Sequence, residues 1–248
     1  MTRALRAAIL IACALAAWQA LFWFAGPGAL TSPLDTIAYT AQLLSSPTFY
    51  PHLIETAQAF AVALGIAISA GILIGFTLGL YRFAADVGEP VLVALYSIPK
   101  LTLYPVVLLA FGIGMPAKIA FGAIHGIMPI AIFALGAVRN LNPVYVKAAR
   151  VMRLPPSRIA ARVLLPAAIP EIFTGIRIGF SLTLIGTLLG EMFASQRGIG
   201  HLLIQAIGLH NVPMIMALTL MLVVIAVTAS AALLAVDRRL RRNMLGAN

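Results

Sequence analysis

Ionisable side chains lie deep inside several long apolar runs of this chain, and those that could line a path are Lys100, His125, Arg177 and Glu191. Ionisable groups at membrane depth are functional candidates because they line the paths of ions and solutes. Lys100 and Arg177 are the two cations that an anionic solute would meet. Snorkelling or structural pairing would explain each of these residues equally well, and His125 is expected to be a packed, hydrogen-bonded side chain. Arg177 and Glu191 are about 21 Å apart along a helix, so they cannot pair within it.

The chain lacks the motifs of the common hydrolytic and metal-dependent enzymes. It contains no H-E-x-x-H, no G-x-S-x-G, and no clustered His and Cys residues or paired carboxylates at ligand spacing. It also lacks the G-x-x-x-x-G-K-[ST] phosphate loop, so it cannot itself supply ATP hydrolysis. The sequence therefore predicts no catalytic residue, no metal site and no cofactor bound by this chain.

A second group of ionisable residues lies between apolar runs, in the stretch from Arg139 to Pro170. Six cations and no acid occur there: Arg139, Lys147, Arg150, Arg153, Arg158 and Arg162. Asn142-Pro143 predicts a helix start, with asparagine as the N-cap and proline at the first helical position. Pro155-Pro156 ends that helix and can begin another. The pattern predicts a helix–turn–helix.

Helical spacing divides the first of these two helices into two faces. Val144, Ala148 and Val151 share one face, and Lys147, Arg150 and Arg153 line the adjacent face. The Ala148-Ala149 pair predicts a shallow seat for a partner's surface. Contact with anionic lipid headgroups would explain the positive charge alone. It would not explain two short helices bounded by prolines, which favour docking.

Composition places the chain in a membrane. It is 62% apolar and 10% charged, with a mean hydropathy of +1.03, outside the range of soluble domains. The net charge of +10 would suggest nucleic acid for a soluble protein. Here the cations flank apolar runs, so membrane orientation explains them and no nucleic-acid partner is expected.

Six apolar runs are long enough to cross about 30 Å of hydrocarbon. They cover residues 7–25, 54–81, 91–111, 117–138, 170–194 and 213–236, the third being broken by Pro99 and Pro105. Short external helices are expected within 29–53 and 195–212. With both termini cytoplasmic, thirteen cations are internal, and only Lys118 and Arg197 are external. This asymmetry favours that orientation.

The central stretch resembles the EAA loop of ABC importer permeases, whose pattern is EAA, three residues, Gly, nine residues, then I-x-L-P. Lys147-Ala148-Ala149 and Val163-Leu164-Leu165-Pro166 match that spacing without a gap. Lys147 replaces the usual Glu, and Arg153 replaces the usual Gly. Three further segments resemble the nitrate/sulfonate/taurine branch of type I importers: Phe111-Gly112-Ile113-Gly114, Gly136-Ala137-Val138-Arg139-Asn140 and Gly198-Ile199-Gly200.

The resemblance implies an all-α integral membrane protein with the six-helix, MetI-like permease fold of type I ABC importers. The permease core would cover 54–240, with a cytoplasmic coupling loop at 139–169. A first span and external loop would occupy 1–53, and a cytoplasmic tail 241–248. An ATPase subunit would dock at Lys147, Ala148, Ala149, Val151, Met152, Arg153, Leu165 and Pro166. The possible substrate pathway would include Lys100, His125, Arg177 and Glu191.

The resemblance also implies partners. They are a second permease copy, as a homodimer or pseudo-dimer, an ATP-binding subunit that carries ATP and Mg, and a periplasmic or lipid-anchored solute-binding protein. The assembly would lie in the bacterial inner membrane and import a small anionic solute of the nitrate, sulfonate or taurine type. The alternative is an ATP-independent secondary transporter or channel. An inverted repeat or paired interrupted helices would favour it, and no convincing repeat is present.

Overall fold

The computed structural model describes the backbone of residues 3–245 and the side chains of residues 5–239, and the regular secondary structure of that part of the chain is all helical. Its eleven α-helices, in chain order, are α1 (Arg3–Ala25), α2 (Pro33–Ser45), α3 (Tyr50–Gly79), α4 (Arg82–Ser97), α5 (Tyr104–Phe111), α6 (Met115–Arg139), α7 (Pro143–Val151), α8 (Pro156–Ile159), α9 (Leu165–Ala194), α10 (Ile199–Gly208) and α11 (Val212–Leu245). Of the predicted tail 241–248, residues 246–248 lie outside the described residues, and α11 continues through the preceding part.

The predicted spans correspond to five long apolar helices and one bent pair. The long ones are Leu5–Ala25, Tyr50–Gly79, Met115–Arg139, Pro156–Ala194 and Val212–Arg239. The third predicted span is the pair Arg82–Ser97 and Lys100–Phe111, whose axes differ by 81°. The break falls at Pro99, one of the two predicted prolines, because a proline removes a backbone donor and disfavours helix at the residue before it. Pro105 instead lies in the first turn of α5, where a proline fits. The helix before the break begins at Arg82, nine residues earlier than expected.

Helices α3, α6 and α9 form the centre of the fold, and glycines allow them to approach closely. A Cβ at Gly75 would lie 2.1 Å from the carbonyl oxygen of Ala131 on α6. A Cβ at Gly126 would lie 2.0 Å from Oγ1 of Thr183 on α9. Small residues at such seams bring helix backbones together in a membrane, where packing supplies most of the association energy.

Both short helices predicted within 29–53 and 195–212 are present, as α2 and α10. The hydroxyl of Ser32 caps α2 by accepting from the backbone N–H of Asp35 at 3.1 Å. The side chain of Asn211 accepts from the N–H of Met214 at 3.2 Å, at the beginning of α11. These short polar caps define the corners between α1 and α2 and between α10 and α11.

The coupling loop, residues 139–169, has the predicted first helix. Asn142 is its N-cap, with Oδ1 accepting from the N–H of Val144 at 3.0 Å. The prediction of a separate, short second helix is wrong. α8 continues through a π-helical turn, Ala160–Leu164, directly into α9, giving an apolar helical run from Pro156 to Ala194. The π-helical turn precedes Pro166 and takes up the change of register that a proline in a helix requires.

Candidate functional site

The coupling loop exposes the apolar face predicted for α7. Val151 is 83% exposed, Met152 is 73% exposed, and Val144 and Ala148 are also exposed. Lys147 and Arg153 lie beside this face and are exposed. Leu165 and Pro166 at the beginning of α9 are exposed as well. A contiguous exposed apolar surface on a loop between spans is typical of a site that another protein covers.

Ala149 does not belong to that exposed surface, so the predicted alanine-pair seat is wrong for this residue. It is only 3% exposed and packs in a cluster with Val138, Ile159 and Leu164. The reason is geometric: adjacent residues on a helix are about 100° apart, and here Ala149 faces the protein core while Ala148 faces outward. Ala149 therefore fixes α7 to its own chain.

Arg153 ends α7 in a backbone conformation that favours glycine. Its φ is 56°, its N–H donates to the carbonyl of Arg150 at 2.9 Å, and the N–H of Leu154 donates to that of Ala149 at 3.1 Å. This pair of hydrogen bonds is a Schellman motif with Arg153 at the left-handed position. The resemblance places a glycine here, and the tight turn is retained despite the arginine.

Arg139 connects the coupling loop to α4. One guanidinium nitrogen lies 2.9 Å from Asp86, and the other donates to Glu89. All three side chains are exposed, so the pairing contributes little to the free energy of unfolding. Its consequence is positional, since the loop's first residue is held beside the N-terminal end of α4, the first helix of the bent pair. The sequence did not reveal this pairing, because about fifty positions separate its partners.

Of the two candidate cations, Lys100 contacts Tyr96 and Arg177 lines a groove to which Tyr96 also contributes. Lys100 is at the bend after α4, where its ammonium donates to the carbonyl of Tyr96 at 2.9 Å and lies 4.8 Å from the centre of the Tyr96 ring. It therefore satisfies a carbonyl at the end of α4 and makes a cation–π contact. The groove that Arg177 lines has a volume of about 480 Å³.

His125 is packed and hydrogen-bonded, as the sequence predicted. It is buried, its Nδ1–H donates to the carbonyl of Phe121 at 2.7 Å, and its ring lies 4.9 Å from that of Phe121. The closest approach of α9 is at Gly186, where a Cβ would lie 2.7 Å from Nδ1. The histidine thus fills the space left by a glycine, within the α6–α9 seam.

Glu191 is fully buried, and its carboxylate is occupied by protein donors. The hydroxyl of Thr56 lies 2.8 and 2.9 Å from its two oxygens, and the N–H of Gly200 donates to it at 2.9 Å. In this conformation a solute could not reach the group without breaking these bonds. Its place on the substrate pathway therefore has no support in the geometry.

Lys118, which the sequence analysis counted among the external cations, is buried in the fold. It lies in the first turn of α6 and is 0% exposed. Its ammonium is 2.9 Å from Glu55 of α3 and 3.6 Å from Glu191 of α9, and it donates to the carbonyl of Arg197 at 3.1 Å. We call Glu55, Thr56, Lys118 and Glu191 the outer charge cluster.

The outer charge cluster and its neighbour His52 cap α10. Three successive amides, those of Gly198, Ile199 and Gly200, donate to His52, Thr56 and Glu191 at 3.1, 2.8 and 2.9 Å. Gly198 has a φ of +120°, and a Cβ there would lie 2.2 Å from the carboxyl carbon of Glu191. The first amides of a helix otherwise lack partners. The sequence signal was present in the G-I-G motif and the acidic residues at neighbouring helix ends.

A family model matches residues 67–245 of the chain: the binding-protein-dependent transport system inner membrane component. The chain belongs to this family. It is 31% identical over 218 residues to the nitrate import permease protein NrtB of Synechocystis sp., covering 82% of this chain and 77% of that one. It is 28% identical over 193 residues to the taurine transport system permease protein TauC of Escherichia coli, covering 78% and 70%.

Other relatives and solved structures agree with this family. The chain is 26% identical to a putative aliphatic sulfonates transport permease protein, SsuC of Bacillus subtilis, covering 80% of this chain and 72% of that one. Two inward-facing forms of the MetNI methionine ABC transporter contain a chain of the same fold. Their TM-scores are 0.65 and 0.60 at 19% and 21% identity, and they cover 79% and 77% of this chain.

These findings confirm the predicted family and the predicted MetI-like fold. The chain is a permease subunit of an ABC importer and a multi-pass membrane protein. Its relatives are permease subunits of such transporters, and the enzyme alternative is excluded on that ground.

Proposed function

We propose that this chain forms the transmembrane pathway for a small anionic solute of the nitrate, taurine or alkanesulfonate type. ATP-driven conformational change in a partner subunit would move it between inward- and outward-facing states. The observation that carries the proposal is the exposed apolar face of α7 in a chain of this permease family. The solute class is supported by the names of the relatives and by the two cations, Lys100 against Tyr96 and Arg177 in the groove that Tyr96 also lines.

The coupling loop is proposed as the docking site of the ATP-binding subunit, which would carry ATP and Mg. Val144, Ala148, Val151 and Met152 would supply apolar contact area, and the surrounding cations would supply long-range attraction. Since Ala149 is packed inward, movement of α7 also moves the core residues that contact it. The coupling loop would therefore move as a rigid unit with the core of the permease.

Two structural connections lead from the coupling loop into the membrane. The first is the helical run from Pro156 to Ala194, which extends from the loop to Arg177 and the outer charge cluster. The second is the contact of Arg139 with Asp86 and Glu89, which leads along α4 to Tyr96. Both routes end at the same groove. Closure of two ATPase subunits would therefore change the groove's access.

The remaining partners follow from the proposal. A second permease copy would complete the pathway, and a periplasmic or lipid-anchored binding protein would deliver the solute to the outer face. The cationic flanks support a location in the bacterial inner membrane with both termini cytoplasmic. A secondary transporter would be favoured by interrupted helices in both halves, whereas the described residues contain one bent pair.

Reconstitution tests this proposal. The permease is placed in proteoliposomes with a candidate ATP-binding subunit and solute-binding protein from the same organism, and uptake of labelled nitrate, taurine and ethanesulfonate is measured. We expect uptake of one of them that requires ATP and the binding protein, with none when a hydrolysis-deficient ATP-binding subunit is used. Equal uptake by the permease alone would overturn the proposal and favour the secondary transporter.

A further inference from the structure

We infer that the groove between α4, α9 and α11 is a binding subsite for one oxyanion group. Its cationic ligand is Arg177, and the hydroxyls of Ser181, Ser230 and Tyr96 are the additional donors. The inference rests on the proposed function for the solute class, namely nitrate or the sulfonate head of a short alkanesulfonate. The site itself is argued from the residues that line the groove.

The lining of the groove has the chemistry of an anion site. Arg177 and Ser181 are one helical turn apart on α9, Ser230 comes from α11, and Tyr96 comes from α4. The other lining residues are Ile178, Leu182, Ala231 and Leu234, and no acid is among them. A volume of about 480 Å³ is ample for one small anion, and the apolar side chains would contact an alkyl tail.

The polar groups of the groove have no partners within the described part of the chain. Arg177 forms no ion pair or hydrogen bond there, and the hydroxyls of Ser181, Ser230 and Tyr96 form no hydrogen bond. Many hydroxyls elsewhere in the spans donate to the carbonyl four residues earlier, as Ser69, Thr219 and Thr228 do at 2.7–2.8 Å, whereas Thr183 and Thr187 of α9 also lack a partner. The groove therefore retains donors that helices ordinarily use internally.

Lys100 differs from Arg177 in this respect. Its ammonium already donates to the carbonyl of Tyr96 and contacts that ring. It therefore positions Tyr96 and adds positive potential, while Arg177 alone offers a free charged donor. The sequence could not tell the roles of these two cations apart, and the fold separates them.

An oxyanion satisfies Arg177 better than the other available ligands. A guanidinium in a membrane span is costly unless an anion or strong acceptor meets it. Its planar fork binds two oxygens of a sulfonate or nitrate at once, which a lysine cannot reproduce. The phosphate of an anionic lipid has the same chemistry, so the experiment must separate the two sources. The ligand proposed here is the transported solute, with lipid phosphate as the alternative that the experiment tests.

Thiol labelling tests the site without depending on transport. The chain's single cysteine, Cys13, is replaced by serine, and Ser230→Cys is introduced in the permease assembled with its ATP-binding subunit. The assembly is placed in phosphatidylcholine nanodiscs. Labelling rates are measured for two methanethiosulfonates, one bearing an ethylsulfonate and the other an ethyltrimethylammonium group. Each rate is divided by that of a free thiol.

We expect the sulfonate reagent to be favoured about tenfold or more, as a unit positive charge lining the same groove in a medium of intermediate dielectric would produce. Arg177→Met should abolish the preference, whereas the matched control Lys100→Met should retain most of it. Millimolar ethanesulfonate or nitrate should slow the labelling.

Three outcomes would overturn the inference. The first is an equal reagent preference with and without Arg177. The second is no labelling by either reagent, which would mean that lipid or a second copy covers the groove. The third is protection by added phosphatidylglycerol but not by ethanesulfonate or nitrate, which would make lipid phosphate the ligand. Failure of uptake with intact anion preference would instead contradict the proposed function and leave the subsite standing.

Discussion

At the scale of single residues, Arg153 and His210 carry the same local conformation in different settings. Both have positive φ, at 56° and 54°, and both follow a helix in a Schellman motif. A side chain with a Cβ disfavours this region by roughly 1–2 kcal/mol. Arg153 ends α7 on the docking loop, whereas His210 ends α10. Comparing substitutions at the two residues therefore distinguishes an effect of backbone strain from an effect specific to the coupling loop.

Arg153→Gly is expected to stabilise the permease by about 1 kcal/mol, because glycine adopts the left-handed conformation without a steric cost. The measurement is the unfolding midpoint of the purified complex in detergent. His210→Gly should give a gain of similar size, and Arg153→Ala should give none, since alanine retains the Cβ. If Arg153→Ala stabilised as much as Arg153→Gly, the cause would be the removed charge and the strain argument would fail.

Lys118→Met should destabilise the permease by about 3–5 kcal/mol, because it leaves the buried carboxylate of Glu191 and the partly exposed carboxylate of Glu55 without their cation. The loss should appear as a lower unfolding midpoint and as faster proteolysis near α10. Lys100→Met is the matched control in another span and should cost much less, since Lys100 contacts only a carbonyl and a ring. Equal effects of the two substitutions would contradict the buried cluster's importance.

At the scale of helices, local rules predicted ends better than faces. Asn142-Pro143 and Pro155-Pro156 act through their own backbone, so the beginning and end of α7 could be read from the sequence. Ala148 and Ala149 are identical small apolar residues, so contacts with distant parts of the chain decide which of them faces the core. The outer charge cluster was missed for the same reason: Lys118 and Glu55 are 63 positions apart, and Thr56 and Glu191 are 135 apart.

The outward face of α7 permits a test of docking that spares the fold. Val151→Lys places a charge on an exposed apolar position at the C-terminal end of the helix, where a cation also favours the helix dipole. We expect unchanged thermal unfolding of the permease itself and a loss of at least about tenfold in affinity for the ATP-binding subunit, measured by pull-down titration.

Ala149→Leu is the matched contrast to that substitution. Ala149 is packed among core residues, so a larger side chain should destabilise the permease by about 1–3 kcal/mol before any partner is added. Unchanged subunit affinity in Val151→Lys would mean that the docking surface lies elsewhere on the loop.

At the scale of the whole molecule, three close-packed helices connect the coupling loop to the outer charge cluster. α3, α6 and α9 meet through glycines at seams where no side chain fits, and the Lys118 ion pairs join the same three helices at their outer ends. Such a unit moves as one body because close-packed interiors transmit displacement. The bent pair α4 and α5, joined to it by Arg139 at one end, is the part of the described chain with a built-in break.

Substituting glycines of α3 tests whether that unit must stay intact. Gly75→Ala would place a methyl 2.1 Å from a backbone oxygen of α6, and only separation of the two helices relieves that contact. We expect a lower unfolding midpoint and loss of solute uptake, because the coupling loop and the groove would no longer be held in one frame. Gly65→Ala on the same helix meets nothing within 4 Å. It should therefore leave uptake unchanged and stabilise slightly, since alanine favours helix over glycine by up to about 1 kcal/mol. Because the two substitutions add the same atom to the same helix, a common loss of uptake would place the requirement in α3 generally and contradict the role of the glycine seam.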